Sequence, residues 1–389
     1  MTTADGEEPG WFRNPDARTF RAPAADHAGA ARRFHRTVPG YAMTQLTDVP
    51  DLARRWRVGR VFVKDESTRF GLPAFKALGA SWAIARILAE RSGSAGLPTY
   101  DDALAAAADQ ELCLVTATDG NHGRAVAHFA RLLGLRSVVV IPDFVGVEPE
   151  RAIAGEGAEV RRVEGTYDDA VRAAVELADA AHGADERILV QDMGWPGYES
   201  VPAWIVDGYA TMADEVSEQL AASGVGAPDL VAVPVGVGSL AAAMVAYYRG
   251  PDSSPRPAVL SCEPASAACL LASLSAARPV TVPTGHTVMA GLNCGTVSGA
   301  AWPLLQSGVD AAVTVTEDQA TRAVAELAGF GVSAGASGAA TLAGVDAALS
   351  GSGAGQRRAD LGLHAGSVVV LLNTEGATGA GGLRSERDR

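Results

Sequence analysis

The chain has 389 residues, 48% of them hydrophobic, and a formal net charge of -13 at pH 7. That length suits two domains or one large α/β unit with an embedded lobe. The acidic balance argues against a nucleic-acid-binding face, which needs clustered Lys and Arg. The four cysteines have no C-x-x-C spacing, so they suggest neither a disulfide scaffold nor a structural zinc site.

Residues 1–10 are acidic and no apolar run follows them, so nothing there reads as an export signal. No stretch reaches the length of a membrane span. The expectation is a cytoplasmic protein with a small-molecule partner and neither nucleic acid nor membrane. Residues 1–40 have weak periodicity and read as an arm over the body. Further along, short β-branched runs alternate with amphipathic segments. Strands are expected at 61–63, 112–116, 138–141, 188–190, 230–235, 259–261, 312–315 and 368–372. Helices are expected at 77–90, 124–133, 168–181 and 318–328, among others. Several strands are continuously apolar, as expected for strands buried on both faces. The alternation implies an α/β fold with mostly parallel sheets flanked by helices. Residues 380–389, Gly- and charge-rich with their flank, read as a disordered tail.

In such folds ligands bind where strands end and helices begin, and four post-strand loops stand out. The first runs from Lys64-Asp65-Glu66-Ser67 to Phe75-Lys76-Ala77-Leu78-Gly79. Lys76 falls at a helix start, where the dipole tends to lower an amine's pKa, and such a lysine suits imine formation with an aldehyde cofactor. Alone, it reads as a solvated helix-start lysine. The second loop is Thr118-Asp119-Gly120-Asn121-His122-Gly123. Asp119 is a candidate acid or base, and Asn121 can hydrogen-bond a phenolic oxygen; alone, the loop is an N-cap with turn glycines. The third, Pro234-Val235-Gly236-Val237-Gly238-Ser239, offers backbone N–H groups and a hydroxyl to a single phosphate. It lacks the Gly-Lys-Ser/Thr of a nucleotide P-loop. The fourth is Asn373-Thr374-Glu375-Gly376, where a hydroxyl can meet a ring nitrogen.

In combination these loops resemble the fold type II pyridoxal-phosphate enzymes, the group of tryptophan synthase β and threonine dehydratase. Within that group they resemble the diaminopropionate ammonia-lyase family. The Asp in Thr118-Asp119-Gly120-Asn121-His122-Gly123 and the segment Gln191-Asp192…Trp195…Gly197-Tyr198-Glu199…Gly208-Tyr209-Ala210-Thr211-Met212 carry the finer likeness. The resemblance implies two open, mostly parallel twisted sheets with pyridoxal 5'-phosphate in a cleft between a large domain (1–79 and 200–389) and a small one (80–199), and a homodimer. It implies Lys76 as the Schiff-base lysine with Phe75 beside it, and Asn121 at the phenolic oxygen. Gly236, Val237, Gly238 and Ser239 would hold the phosphate, and Thr374 would face the pyridine nitrogen. Asp119 and Asp192 would be the catalytic carboxylates, with no metal.

The activity implied is α,β-elimination from a β-substituted amino acid, 2,3-diaminopropionate above all, giving pyruvate and ammonia through an aminoacrylate. Lys76 would take the Cα proton of an L-substrate and Asp119 that of a D-substrate, while Asp192 would serve the departing amine. Several positions depart from the family pattern; among them Ser333 stands where a glutamate is usual, and Thr296-Val297 where Glu-Pro is common. They motivate the alternative of a β-replacement enzyme (synthase) or a dehydratase on a related amino acid, serine, threonine or an activated serine, in a specialised biosynthetic pathway. A non-catalytic relative is the reading from another class, disfavoured by Asp119 and Asp192 standing with Lys76.

Overall fold

A computed structural model describes residues 8–23, 29–94, 96–108, 110–180, 186–251 and 253–377; the expected tail at 380–389 lies outside them. Eleven strands are present among these residues: β1 (Trp11–Arg13), β2 (Gln45–Asp48), β3 (Arg60–Asp65), β4 (Leu112–Ala117), β5 (Arg136–Pro142), β6 (Glu159–Val163), β7 (Glu186–Leu189), β8 (Leu230–Pro234), β9 (Ala258–Pro264), β10 (Ala311–Val315) and β11 (Val368–Asn373). The described residues fall into two units, one from 8–23, 43–68 and 212–377, the other from 29–42 and 69–211. The second unit reaches beyond 80–199 at both ends.

The first unit is built on a seven-stranded sheet in the order β1-β10-β9-β8-β11-β3-β2. Its five inner strands are parallel, and β1 and β2 are antiparallel edges. The inner strands are the apolar runs: every residue of β8 and β9 is buried, as a parallel strand covered on both faces requires. The helix Ala336–Ala348 lays Ala339, Ala340, Leu342, Ala343, Val345 and Ala347 into a core shared with Val63, Ala232, Leu260, Val313 and Leu371. Its small side chains let it lie close to the sheet.

The second unit has a four-stranded parallel sheet in the order β6-β5-β4-β7. Strand β4 is buried throughout. The helix Lys76–Arg91 buries Trp82, Ile84, Ile87 and Leu88, packing with Val126 and Phe129 of the helix Asn121–Leu132. A capping box at Thr166, whose hydroxyl accepts from Asp169 N, starts the helix Tyr167–Asp179. No helix among the described residues is long and apolar enough to cross a membrane.

Candidate active site

Lys76 begins its helix directly after Phe75. About one-fifth of its side chain is exposed, and its ammonium donates to Asp192 Oδ2 at 2.5 Å. The ammonium also lies 5.3 Å from the centre of the Phe75 ring, which is tilted against the buried ring of Tyr209 with centroids 4.7 Å apart. The helix start led to the expectation of a lowered pKa; the structure reverses it. Burial is the largest effect and does favour the neutral amine, but Asp192, Tyr209 and Asp119 together outweigh it. The group is held well above the ordinary lysine value. Asp192 mirrors this: burial pushes its carboxyl up, yet Lys76 brings it down to about 2. The two side chains form a partly buried ion pair.

Asp192 is held in place by its neighbour. Gln191 is fully buried just beyond β7. Its Oε1 accepts from Ala117 N at 3.0 Å and from the Thr116 hydroxyl at 3.1 Å, and its Nε2 donates to the Tyr167 hydroxyl at 2.7 Å. Tyr198 completes the clamp, accepting from Gln191 N at 2.8 Å and donating to Leu189 O at 2.9 Å. The end of β4 and the segment after β7 are thereby tied together.

Asp119 follows β4 in a turn closed by Gly120 N donating to Thr118 Oγ1 at 2.9 Å. It is half-buried and acts on Lys76 electrostatically. Asn121, also half-buried, starts the next helix. His122, the second residue of that helix, is buried with its Nε2 2.8 Å from Val190 O. The structure thus brings Phe75, Lys76, Asp119 and Asp192 together, adding three residues to which sequence reasoning gave no role: His122, Gln191 and Tyr209. All three lie inside the recognised motifs, but nothing in their spacing shows which of them meet Lys76 or Asp192.

In the first unit, Gly236–Ser239 connects β8 to the helix Ser239–Tyr248. Ser298 N donates to Val237 O at 2.8 Å and Val235 N to Cys262 O at 2.9 Å, fixing the loop from both sides. Gly238 has φ +96°, and a Cβ there would stand 2.5 Å from Leu305 Cδ1, so only glycine fits. A Cβ at Gly236 would stand 3.0 Å from Cys294 Sγ and 3.2 Å from Gly291 O. The loop therefore keeps its backbone bare at a helix N-terminus, which suits a phosphate group and offers no lysine for a nucleotide.

Thr374 follows β11 and is buried. The preceding Asn373 is anchored by Nδ2 bonds to Asp65 Oδ1 at 2.9 Å and Ser333 O at 2.8 Å. Ser333 Oγ accepts from Ala377 N at 3.1 Å. A carboxylate is present close by, from Glu375, whose Oε1 accepts from Ser337 N at 3.2 Å at the start of the helix Ala336–Ala348. The neutral Ser333 thus leaves this region with an acid, supplied from a different position.

An amine at a helix start paired with a buried carboxylate, and a glycine-built anion cradle after a parallel strand, define a pyridoxal-phosphate enzyme of fold type II. The family model for pyridoxal-phosphate dependent enzymes matches residues 38–374. Diaminopropionate ammonia-lyase of Escherichia coli K12 is 36% identical over 358 residues, covering 90% of this chain and 88% of its own. A structure of Escherichia coli diaminopropionate ammonia lyase in complex with an aminoacrylate-PLP azomethine reaction intermediate aligns with TM-score 0.81 and 32% identity, covering 95% of this chain and 94% of that one. Its complex with D-serine aligns with TM-score 0.83 over the same shares at 32% identity. The chain belongs to the pyridoxal-phosphate dependent enzymes and, within them, to the diaminopropionate ammonia-lyase family.

Proposed function

We propose that this protein is a pyridoxal-phosphate dependent ammonia-lyase that performs α,β-elimination on 2,3-diaminopropionate, releasing pyruvate and ammonia. The observation that carries the reading is the Lys76–Asp192 pair, 2.5 Å apart, with Asp119 acting on the same ammonium. The likeness to relatives named diaminopropionate ammonia-lyase supports it. When bound, the cofactor supplies an electron sink for the bond to the Cα proton.

The chain's own residues do the rest. Lys76 would carry the cofactor, with Phe75 and Asn121 beside its ring, Asn121 at the phenolic oxygen. Backbone N–H groups of Gly236, Val237 and Gly238, with Ser239, would hold its phosphate, and the Thr374 hydroxyl would meet its ring nitrogen. A hydroxyl there would not force that nitrogen to stay protonated, which would favour elimination over transamination. Lys76 takes the Cα proton from an L-substrate, and Asp119 takes it from the opposite face for a D-substrate. Asp192, an ionised carboxylate in a buried setting, holds the β-ammonium until the Cβ–N bond breaks and the electron pair leaves with nitrogen as ammonia. A homodimer working in the cytoplasm goes with this reading; the mass of the purified protein and cell fractionation check those two points.

The test is pyruvate and ammonia release from 2,3-diaminopropionate by the purified holoenzyme, with Lys76→Ala as its companion. One pyruvate and two ammonia per substrate consumed are expected from the wild type, with loss of turnover and of the visible bound-cofactor band in the variant. A Lys76→Ala protein that keeps that band would sink the assignment of Lys76. Turnover that needs an added nucleophile would favour β-replacement instead.

A further inference from the structure

We propose that Nδ1 of His122 is a second acceptor for the β-ammonium group of the substrate, beside Asp192, and that it sets the enzyme's preference for an amino group over a hydroxyl at Cβ. The proposal rests on the elimination reading above and deepens it.

The tautomer comes first. His122 is 4% exposed, and its Nε2 lies 2.8 Å from Val190 O. A carbonyl oxygen can only accept, so Nε2 carries a hydrogen. Burial and the nearby charge of Lys76 favour the neutral imidazole over the pull of Asp192 and Val190. A neutral ring has one N–H, which leaves Nδ1 with a lone pair. That atom is sealed from solvent, has no hydrogen-bond partner, and stands 3.9 Å from Asp192 Oδ2.

A bare acceptor facing a carboxylate in a low-dielectric pocket is costly, because neither can donate to the other. Read as ordinary packing, His122 satisfies one nitrogen and wastes the second in the one place where it faces a negative charge. Read as half of a binding site, both acceptors wait for the same donor. Lys76 now donates a hydrogen bond to Asp192. Once Lys76 is committed to the cofactor, those N–H groups are withdrawn from Asp192, and the lone pair of His122 Nδ1 stands beside a carboxylate that has lost its cation. A primary ammonium has three N–H groups and can meet both acceptors at once. A hydroxyl has one hydrogen and leaves one acceptor unmet, and a β-halogen offers none.

A hydrogen bond to a charged group is worth roughly 1.5–3 kcal/mol, or about 10–100-fold in kcat/KM. The experiment compares wild-type holoenzyme with His122→Leu and His122→Gln on 2,3-diaminopropionate, serine and β-chloroalanine, following pyruvate. His122→Leu is expected to lower kcat/KM for diaminopropionate by about 10–100-fold while β-chloroalanine stays nearly unchanged. Serine is expected to lose less than diaminopropionate, so the amino-over-hydroxyl preference shrinks. His122→Gln keeps a carbonyl acceptor and should recover part of the loss. Equal losses on all three substrates would mean a structural role and overturn the proposal. So would an unchanged substrate ratio in an otherwise active enzyme, leaving the elimination reading intact. A wild type that releases nothing from diaminopropionate brings down that reading and the proposal with it. The 15N spectrum of imidazole-labelled holoenzyme gives a readout apart from turnover, and decides if His122→Leu does not fold. It is expected to show His122 protonated at Nε2 and bare at Nδ1; the opposite tautomer overturns the proposal.

Discussion

At the scale of single residues, Lys76 shows how a neighbour overrides a local rule. The helix start and burial both disfavour its charge, but a carboxylate 2.5 Å away decides the outcome. The same geometry separates two acids. Asp192 is buried and paired to Lys76, whereas Asp119 is half-buried in a turn of its own. If Asp119 is the base for a D-substrate and Lys76 for an L-substrate, one substitution should split the two activities. Asp119→Asn keeps the size and the turn but removes the base. D-2,3-diaminopropionate turnover should fall by ~10²–10⁴, the usual contribution of a general base, with the L-isomer much less affected. Parallel measurement of kcat for both isomers checks this, and equal losses would contradict the two-face assignment.

At the scale of elements, legibility followed burial pattern. The eight strands read from apolar runs are the inner strands of the two sheets together with β7, because strands covered on both faces keep uninterrupted hydrophobic stretches. The strands that escaped are edges. β1 has three residues, β2 is exposed at both ends, and β6 places Glu159, Arg161 and Arg162 in solvent. An edge strand has little apolar face to betray it. In the site, Lys76, Asp119 and Asp192 were legible through motif. Gln191 and His122 were not, since their roles depend on which backbone carbonyls and amides lie opposite once β4 and β7 pair. Glu263 was equally silent. It sits fully buried in β9, accepting from Leu270 N at 2.7 Å and Leu271 N at 2.8 Å at the start of the helix Cys269–Ala276. Burial pushes its carboxyl up to about 8 despite those two donors. The folded state therefore holds a proton that the unfolded chain has released from about pH 4.5 upward, so this group makes stability fall as pH rises toward 8. Glu263→Gln cannot ionise and should lack that slope. Denaturant titrations at pH 5 and pH 8 should show the wild type losing a few kcal/mol more than the variant, at about 1.4 kcal/mol per pH unit. Identical pH slopes in the two proteins would refute the raised pKa.

At the scale of the whole molecule, the question is what a buried charge contributes to the fold. Arg249 is fully buried and pairs with Asp310, which is 5% exposed. The cluster spans distant parts of the chain. Arg249 donates to Ala17 O at 3.0 Å and Pro257 O at 2.9 Å, while Asp310 accepts from Val259 N at 2.8 Å and Arg18 Nε at 3.1 Å. It thus binds the N-terminal segment to the starts of β9 and β10 in the seven-stranded sheet. Burial is the largest influence on both partners, pushing Asp310 up and Arg249 down. Each group is less at ease charged here than in water. The pair fixes where the segment lies more than it stabilises the fold. Removing one partner is a different matter. Asp310→Ala strands a buried guanidinium and should cost ~3–5 kcal/mol, a large part of a typical total of ~5–15 kcal/mol. The double change Arg249→Met with Asp310→Leu removes both charges and should cost less than Asp310→Ala alone, its residual loss coming from the unmet Val259 N–H and the two orphaned carbonyls. Chemical denaturation of the wild type, Arg249→Met, Asp310→Leu and the double variant measures the coupling directly. A double variant less stable than Asp310→Ala would show that the pair contributes more to the fold than its desolvation costs.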